Sequence, residues 1–288
     1  MKISVIIPVY NRMEHLRALF ICLINQKRKP DEVIIADDGS SQKIYDFIGD
    51  LFDKCNFTIK HVYQVDKGFR KTRSINNAVR ISSGELLIFC DQDLIFGDDY
   101  IDTIYKNIKE NIFLMGRAYC LSEDKKNYIL EKLEYENYDN IVKDIIPAEY
   151  KMTIDKMLKR DKLRRILYEI GINKRGIKLV GMSVAILKKS FIKVNGYDEL
   201  YIGWGNEDDD LGNRLHAAGI KGKELKTEKL QMHLWHYSDP TKKGKQNEDY
   251  YNKRKNEIFN EKKFYCEFGL NKTKDDDNVI VSVVSKND

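Results

Sequence analysis

The sequence predicts a doubly wound α/β fold, a mixed sheet with helices on both faces. Three observations predict it. Short apolar runs rich in β-branched residues recur along the first third of the chain, segments of helical spacing separate them, and polar clusters close several of the runs. Ile3 to Val9 is a near-continuous apolar run, interrupted late by Pro8, that reads as a strand buried on both faces. Residues 13 to 26 follow with helical spacing at Leu16, Leu19, Phe20, Leu23 and Ile24. Val33 to Ala36 is a second strand, ended by Asp37-Asp38-Gly39-Ser40, and Ile44, Phe47, Ile48 and Leu51 mark the next helix. A third strand spans Phe57 to Val62, a third helix residues 72 to 82, and a fourth strand Leu86 to Cys90, ended by Asp91-Gln92-Asp93. Ligands of such sheets sit at the carboxyl ends of the strands, where these polar clusters fall.

Beyond about residue 120 the pattern changes. Residues 123 to 170 are charged and helical in character, Leu179 to Leu187 returns to strand, and residues 203 to 210 open a helix that runs to about His216. A basic stretch from Lys242 to Phe268 reads as helical, and Lys272 to Asp277 is a charged turn before the apolar run Val279 to Val284. This divides the chain into residues 1–120, residues 121–240 with a helical insert, and a C-terminal basic helical extension over 241–288, the first two sharing one core.

At 288 residues the chain is long enough for a substantial core. Its 42% hydrophobic content and mean hydropathy of -0.53 describe a soluble globular protein. Lys+Arg 50 against Asp+Glu 45 leaves a net charge of +5, too mild a balance for a nucleic-acid binder. No apolar run approaches the length of a membrane span, and the apolar N-terminus is too short for a signal segment. Five scattered cysteines with no CxxC fit reduced thiols, so the expected location is cytoplasmic.

Five clusters could carry chemistry. Asp91 and Asp93, two residues apart at a strand end, can share a hard divalent cation; a polar turn is the plain alternative. Pro8-Val9-Tyr10-Asn11-Arg12 and the Asp38 turn could bracket a nucleoside, Tyr10 flanking the base and Asp38 accepting from uracil or a ribose hydroxyl, although Asn11 and Ser40 are also good helix caps. Asp66 to Arg73, leading into Asn76, sets basic groups at a helix start where they could face a diphosphate; one of Lys71 and Arg73 is expected to be functional. With neither GxGxxG nor GK[ST], it is neither a dinucleotide fingerprint nor a P-loop. Gly203-Trp204-Gly205-Asn206-Glu207-Asp208-Asp209-Asp210 joins a flat aromatic face to a run of acids, one of which could act as a general base, where four acids alone would read as a solvated first helical turn. Finally, His233 and His236 give an H-x-x-H, too few nitrogens for structural zinc; one imidazole joined with Asp93 would make a mixed site suited to Mn²⁺, and a pair of strand-end histidines is the plain alternative.

SVIIPVYNR, IIADDGS and SSGELLIFCDQD resemble inverting family 2 glycosyltransferases of GT-A fold. GWGNEDDDLGNRL and HLWHYSD resemble the acceptor-side and metal-histidine segments of β-1,4-galactosyltransferases and of the galactosaminyl half of bacterial chondroitin polymerases. The resemblance covers about residues 1 to 110 and 179 to 240, with the motifs in order. It implies a nucleotide-sugar-binding first half and an acceptor and catalytic second half. Pro8, Tyr10, Asn11 and Asp38 then surround the nucleoside. Asp91 meets ribose or the metal, Asp93 and His236 bind the metal, and His233 sits where relatives place a second ligand. Asp208 is the base, with Trp204 and Glu207 shaping the sugar site. Asp66, Lys71, Arg73, Asn76 and Trp204 complete the donor side, although the Arg-Asn pair common in the family is Ile75-Asn76 here.

The implied enzyme is a hexosyltransferase that uses Mn²⁺ or Mg²⁺ to move a hexose or N-acetylhexosamine, Gal or GalNAc favoured, from a UDP-sugar donor to a hydroxyl of a glycan or lipid-linked glycan, in bacterial surface polysaccharide or lipooligosaccharide synthesis. A sugar nucleotidyltransferase and a non-catalytic nucleotide-sugar or glycan-binding module are the alternatives. The basic extension reads either as a helix packed on the catalytic lobe or as one in peripheral contact with the inner membrane surface.

Overall fold

The computed structural model describes residues 1–285 apart from Pro147 and Gly244, so the last three residues of the predicted C-terminal extension lie outside the described residues. The first half runs β1 (Ile3–Val9), α1 (Met13–Ile24), β2 (Glu32–Asp37), α2 (Ile44–Ile48), β3 (Thr58–Gln64), α3 (Lys71–Ile81), β4 (Leu86–Cys90), β5 (Leu94–Ile95), α4 (Tyr100–Asn107), β6 (Ile112–Met115) and β7 (Ala118–Cys120). Three helices follow, α5 (Glu123–Lys132), α6 (Tyr138–Ile145) and α7 (Ala148–Glu169). The rest is β8 (Ser183–Leu187), α8 (Lys188–Lys193), α9 (Glu207–Ala217), β9 (Lys221–Glu224), β10 (Gln231–His233), α10 (Glu248–Glu261) and β11 (Val279–Ser285).

Eight strands form one mixed sheet in the order β11-β3-β2-β1-β4-β8-β6-β9, drawing on all three predicted segments. β1 pairs parallel with both β2 and β4, so the winding reverses there and opens a crevice at their carboxyl ends. Alternation along β1 divides the core: Val5, Ile7 and Val9 face the layer holding α1, while Ile6 faces the layer holding α3, α8 and α9. The helical insert is docked, since Arg117 beside β7 holds the fully buried Asp161 of α7 at 2.7 Å. α10 packs against α9, burying Arg254 and Ile258, and is shorter than the basic stretch that predicted it. Among the described residues, no helix is long and apolar enough to cross a membrane.

A second sheet, β5-β10-β7, has strands of two or three residues. Its register sets His233 opposite Leu94, and Leu234 N–H donates to the Asp93 carbonyl at 2.8 Å. The segment that carries His233 is thereby fastened beside the end of β4.

The acids of α9 are not alike. Asp210 and Arg214 are fully buried and paired at 2.6 Å, and the guanidinium also donates to the carbonyls of Val194 and Gly196. Removing one partner of such a pair leaves the other charge buried and alone. Asp210→Ala is expected to lower unfolding free energy by about 3–5 kcal/mol. A loss within ~0.5 kcal/mol in urea denaturation, as for ordinary surface changes, contradicts this.

Candidate active site

The carboxyl ends of β1 and β2 are stitched to each other. Asn11 and Arg12 both adopt left-handed backbone, with φ of 52°. Asn11 N–H donates to Ser40 Oγ at 2.8 Å, and its side-chain oxygen accepts from Ser41 N–H at 3.0 Å. Gln92 holds the same turn from β4, accepting from Tyr10 N–H at 2.8 Å and donating to the Asn11 carbonyl at 2.7 Å. Half-exposed Tyr10 donates from its hydroxyl to Asp66 at 2.9 Å. Asp38 lies deeper: one oxygen accepts from Gln64 and the other from Arg70 N–H, each at 2.6 Å, and burial pushes its carboxyl up to about 6 against those bonds.

Asp93 is buried at the centre of a tighter cluster. His233 Nε2 stands 3.0 Å from one of its oxygens and His236 Nε2 3.1 Å from the other. One ligand atom from each residue falls within 4.8 Å of the others. His236 Nδ1 lies 2.7 Å from the Tyr237 carbonyl, which can only accept, so Nδ1 carries a proton. His236 Nε2 is thereby turned toward Asp93, with Nδ1 fixed from outside the cluster, as in metal-ligating histidines. The other Asp93 oxygen is buried without an aligned hydrogen-bond partner among the described residues. One carboxylate and two imidazoles converging in this way fit a divalent transition metal. Burial alone would raise the Asp93 carboxyl, but His233, His236 and the Arg12 guanidinium at 2.8 Å hold it well below the usual carboxylate range. His15 supports the segment from α1, its Nε2 donating to the Trp235 carbonyl at 3.1 Å.

Asp208 stands on the other side of the crevice, in the first turn of α9. Its carboxylate accepts from Tyr197 O–H at 2.8 Å and from Gly181 N–H at 3.0 Å. A Cβ on Gly181 would stand 2.4 Å from a carboxylate oxygen, so this placement of Asp208 needs glycine there. Next along the chain, the Met182 carbonyl accepts from Asp91 N–H at 3.2 Å. One dipeptide entering β8 therefore ties Asp208 to Asp91. Lys71 bridges the same gap, its ammonium 2.8 Å from Asp91; burial would lower it, but Asp91, Asp208 and Glu207 raise it. Burial raises the Asp208 carboxyl, Lys71 opposing and Asp91 adding, and burial with the Asp208 charge also raises Glu207.

The model of glycosyl transferase family 2 matches residues 4–177, more than half of the chain. The chain belongs to glycosyl transferase family 2. A second model, described as the N-terminal domain of galactosyltransferase, matches residues 161–236, which include α9 and both histidines. Validoxylamine A glucosyltransferase of Streptomyces hygroscopicus subsp. limoneus is 27% identical over 229 residues, covering 76% of this chain and 48% of the relative. Chondroitin synthase of Escherichia coli is 28% identical, covering 75% and 32%. The chain thus spans about half or less of the length of these relatives. TarS of S. aureus superposes with a TM-score of 0.59 at 16% identity, over 94% of this chain and 41% of that one. TarS 1-349, solved in complex with UDP-GlcNAc, gives 0.59 at 14%, over 94% and 69%. These likenesses show the GT-A fold.

Within this family 2 site, three groups of predicted residues separate. Asp91, Asp93, Lys71, Glu207, Asp208, His233 and His236 face one crevice, Pro8, Tyr10 and Asn11 line its β1 edge, and Trp204 stands exposed on the loop before α9. Arg73, two positions beyond Lys71 and so on the opposite side of α3, donates to Gln64 at 3.0 Å and to the Asp277 carbonyl at 3.0 Å. Asn76 is fully buried: its amide donates to the Tyr197 carbonyl and its oxygen accepts from Tyr197 N–H, so it fixes the residue that holds Asp208. Sequence reasoning missed His15, Gly181 and Tyr197; it named Arg12 only within the nucleoside cluster, where the side chain instead meets Asp93, and gave Gln92 no role. Only Tyr197 carried a local signal, the Asn195-Gly196 pair before it, which takes two successive left-handed conformations.

Tyr197→Phe tests the support of Asp208. The hydroxyl stabilises the charged carboxylate by a bond worth about 1.5–3 kcal/mol. Removing it raises an already raised carboxyl further, by about one to two pH units. A base works deprotonated, so the acidic limb of the pH–rate profile is expected to move to higher pH by that amount. An unmoved limb with a uniform rate loss reduces Tyr197 to packing.

Proposed function

We propose that this family 2 glycosyltransferase moves a hexose or N-acetylhexosamine from a UDP-sugar to a glycan hydroxyl with inversion, and that it depends on a divalent cation. The carrying observation is the shared anchor of the two halves: Gly181 N–H holds Asp208 while the adjacent Met182 carbonyl holds the segment that begins Asp91-Gln92-Asp93. A deprotonating group and a leaving-group site on opposite walls of one crevice suit a single displacement.

In this reading Asp208 takes the proton of the acceptor hydroxyl, whose oxygen attacks the anomeric carbon of the donor. The bond from that carbon to the diphosphate oxygen breaks on the far face, and UDP leaves with the electron pair. Lys71, already among three carboxylates, faces the negative charge that develops on the diphosphate. Asp93, His233 and His236 would hold the cation, which supplies Lewis-acid stabilisation of the leaving group. Tyr10 and Asp66 would flank the nucleoside, while Trp204 and Glu207 would border the sugar. The match to the galactosyltransferase model and the chondroitin synthase relative favour galactose or N-acetylgalactosamine. The two named relatives fit a role in building glycosides or surface polysaccharide.

A donor panel tests the reading. UDP release is followed from UDP-Gal, UDP-GalNAc, UDP-Glc and UDP-GlcNAc, each with oligosaccharide acceptors, in Mn²⁺ and in EDTA. Release above background with at least one UDP-sugar, in Mn²⁺ only, is expected. Equal release in EDTA removes the cation, and turnover confined to other nucleotide sugars removes UDP.

A further inference from the structure

A concave pocket of about 350 Å³ lies outside the crevice, between the end of α7, the segment 173–178 and α10. Its wall carries Arg164, Lys174, Arg175, Lys178 and Lys255 together with Asn173 and Phe259, and no acidic side chain. Arg175 and Lys178 are partly neutralised by Asp209 of α9, at 2.9 Å and 3.6 Å. Among the described residues, Arg164, Lys174 and Lys255 have no carboxylate within ion-pair distance; Lys255 has only the Tyr251 ring, 5.8 Å away. Three cations without an internal partner, gathered around one hollow, repel one another unless an anion joins them. Arginine forks and an amide match phosphate oxygens. A phosphate monoester brings a charge of about −1.5 to −2, where a carboxylate brings about −1.

The pocket also has a definite side. Asp209, which holds Arg175 and Lys178, is the residue after Asp208, and Gly181, which holds Asp208, is three residues beyond Lys178. The pocket wall is thus tied to the first turn of α9, which carries Asp208, while neither Lys71 nor Asp91 lines it.

We propose that this basic pocket binds a phosphate group carried by the acceptor and so sets which acceptors reach Asp208. The inference rests on the transferase reading for the word acceptor; the phosphate site itself does not. The phosphate could sit on a soluble glycan or on a lipid carrier, and the test separates the two.

The full chain, in EDTA, is titrated with glucose 6-phosphate against glucose. It is also sedimented with phosphatidylcholine vesicles with and without about one fifth phosphatidic acid, a composition chosen to present anionic phosphate at a bilayer. Each measurement is repeated on Arg164→Gln/Lys174→Gln/Lys255→Gln and on Lys43→Gln/Lys54→Gln/Lys109→Gln, which makes an equal charge change on exposed side chains elsewhere. Charge-assisted hydrogen bonds of about 1.5–3 kcal/mol convert to a loss of at least about tenfold in affinity for the first triple variant, and none is expected for the second. Loss with glucose 6-phosphate assigns a soluble phosphoglycan, and loss confined to the acidic vesicles assigns a lipid-borne phosphate. Equal losses in both triple variants, or none in either, overturn the site. UDP affinity in Mn²⁺ is measured in parallel. Its retention in the pocket variant shows an intact fold. Its absence from wild type, with phosphate binding still lost in the pocket variant, removes the UDP reading and leaves the pocket standing.

Discussion

Asp208→Asn is expected to lower transfer by roughly 10²–10⁴-fold, the contribution of a positioned general base, while UDP affinity stays near that of wild type. Asparagine keeps the shape, its single amide oxygen can still accept from Gly181 N–H while its NH2 donates to the Tyr197 hydroxyl oxygen, and it cannot take a proton. The surroundings make the residue suited to the task. Burial raises its carboxyl, and Lys71, Tyr197 and Gly181 restrain that rise so that the charged form stays accessible. Asp209→Asn is the neighbouring control. Its carboxylate accepts from Arg175 at 2.9 Å and from Tyr251 O–H at 2.5 Å, on the pocket side of α9. Asp209→Asn should therefore loosen the 173–178 segment and cost far less rate. A dead Asp209→Asn beside an active Asp208→Asn moves the base by one residue. Loss of UDP affinity in Asp208→Asn assigns that residue to the donor.

Asp93→Ala is expected to act on the other wall and to lose metal and UDP affinity together. Outer-shell changes at metal sites already cost about 10–100-fold in affinity, and removing the only carboxylate of a three-residue set should exceed that. The substitution also removes the carboxylate that the Arg12 guanidinium and both imidazoles now contact. His236→Ala should show the same pattern more mildly, because Asp93 and His233 remain. Calorimetric titration of Mn²⁺, followed by UDP, reads both variants. Unchanged Mn²⁺ affinity in Asp93→Ala would show that the cation binds elsewhere.

The parts of this site legible in the sequence are those that a single element carries. β1 and β4 announce themselves as apolar runs, and Asp91 to Asp93 follows because it closes one of them. The acids of α9 could be placed at a helix start, but not told apart. Asp208 turns to Gly181, Asp209 to Arg175 and Asp210 to Arg214, and these partners are set by tertiary packing. The two histidines gave no third ligand by spacing. Asp93 joins them through pairing of β5 with β10, strands of two and three residues across more than 130 positions, too short for any periodicity to mark. Arg73 shows the reverse case. A basic residue at a helix start invites an anion, and the anion it finds belongs to the chain's own C-terminal segment, where Asp277 stands 3.5 Å away.

Binding of UDP to the wild-type chain in Mn²⁺ and in EDTA tests the central claim most directly, since it joins the donor to the cluster of Asp93, His233 and His236 without requiring the acceptor. Isothermal calorimetry is expected to show UDP binding in Mn²⁺ and a loss of at least about 100-fold in EDTA, a difference of roughly 2.8 kcal/mol. Equal affinity in the two buffers would contradict the account.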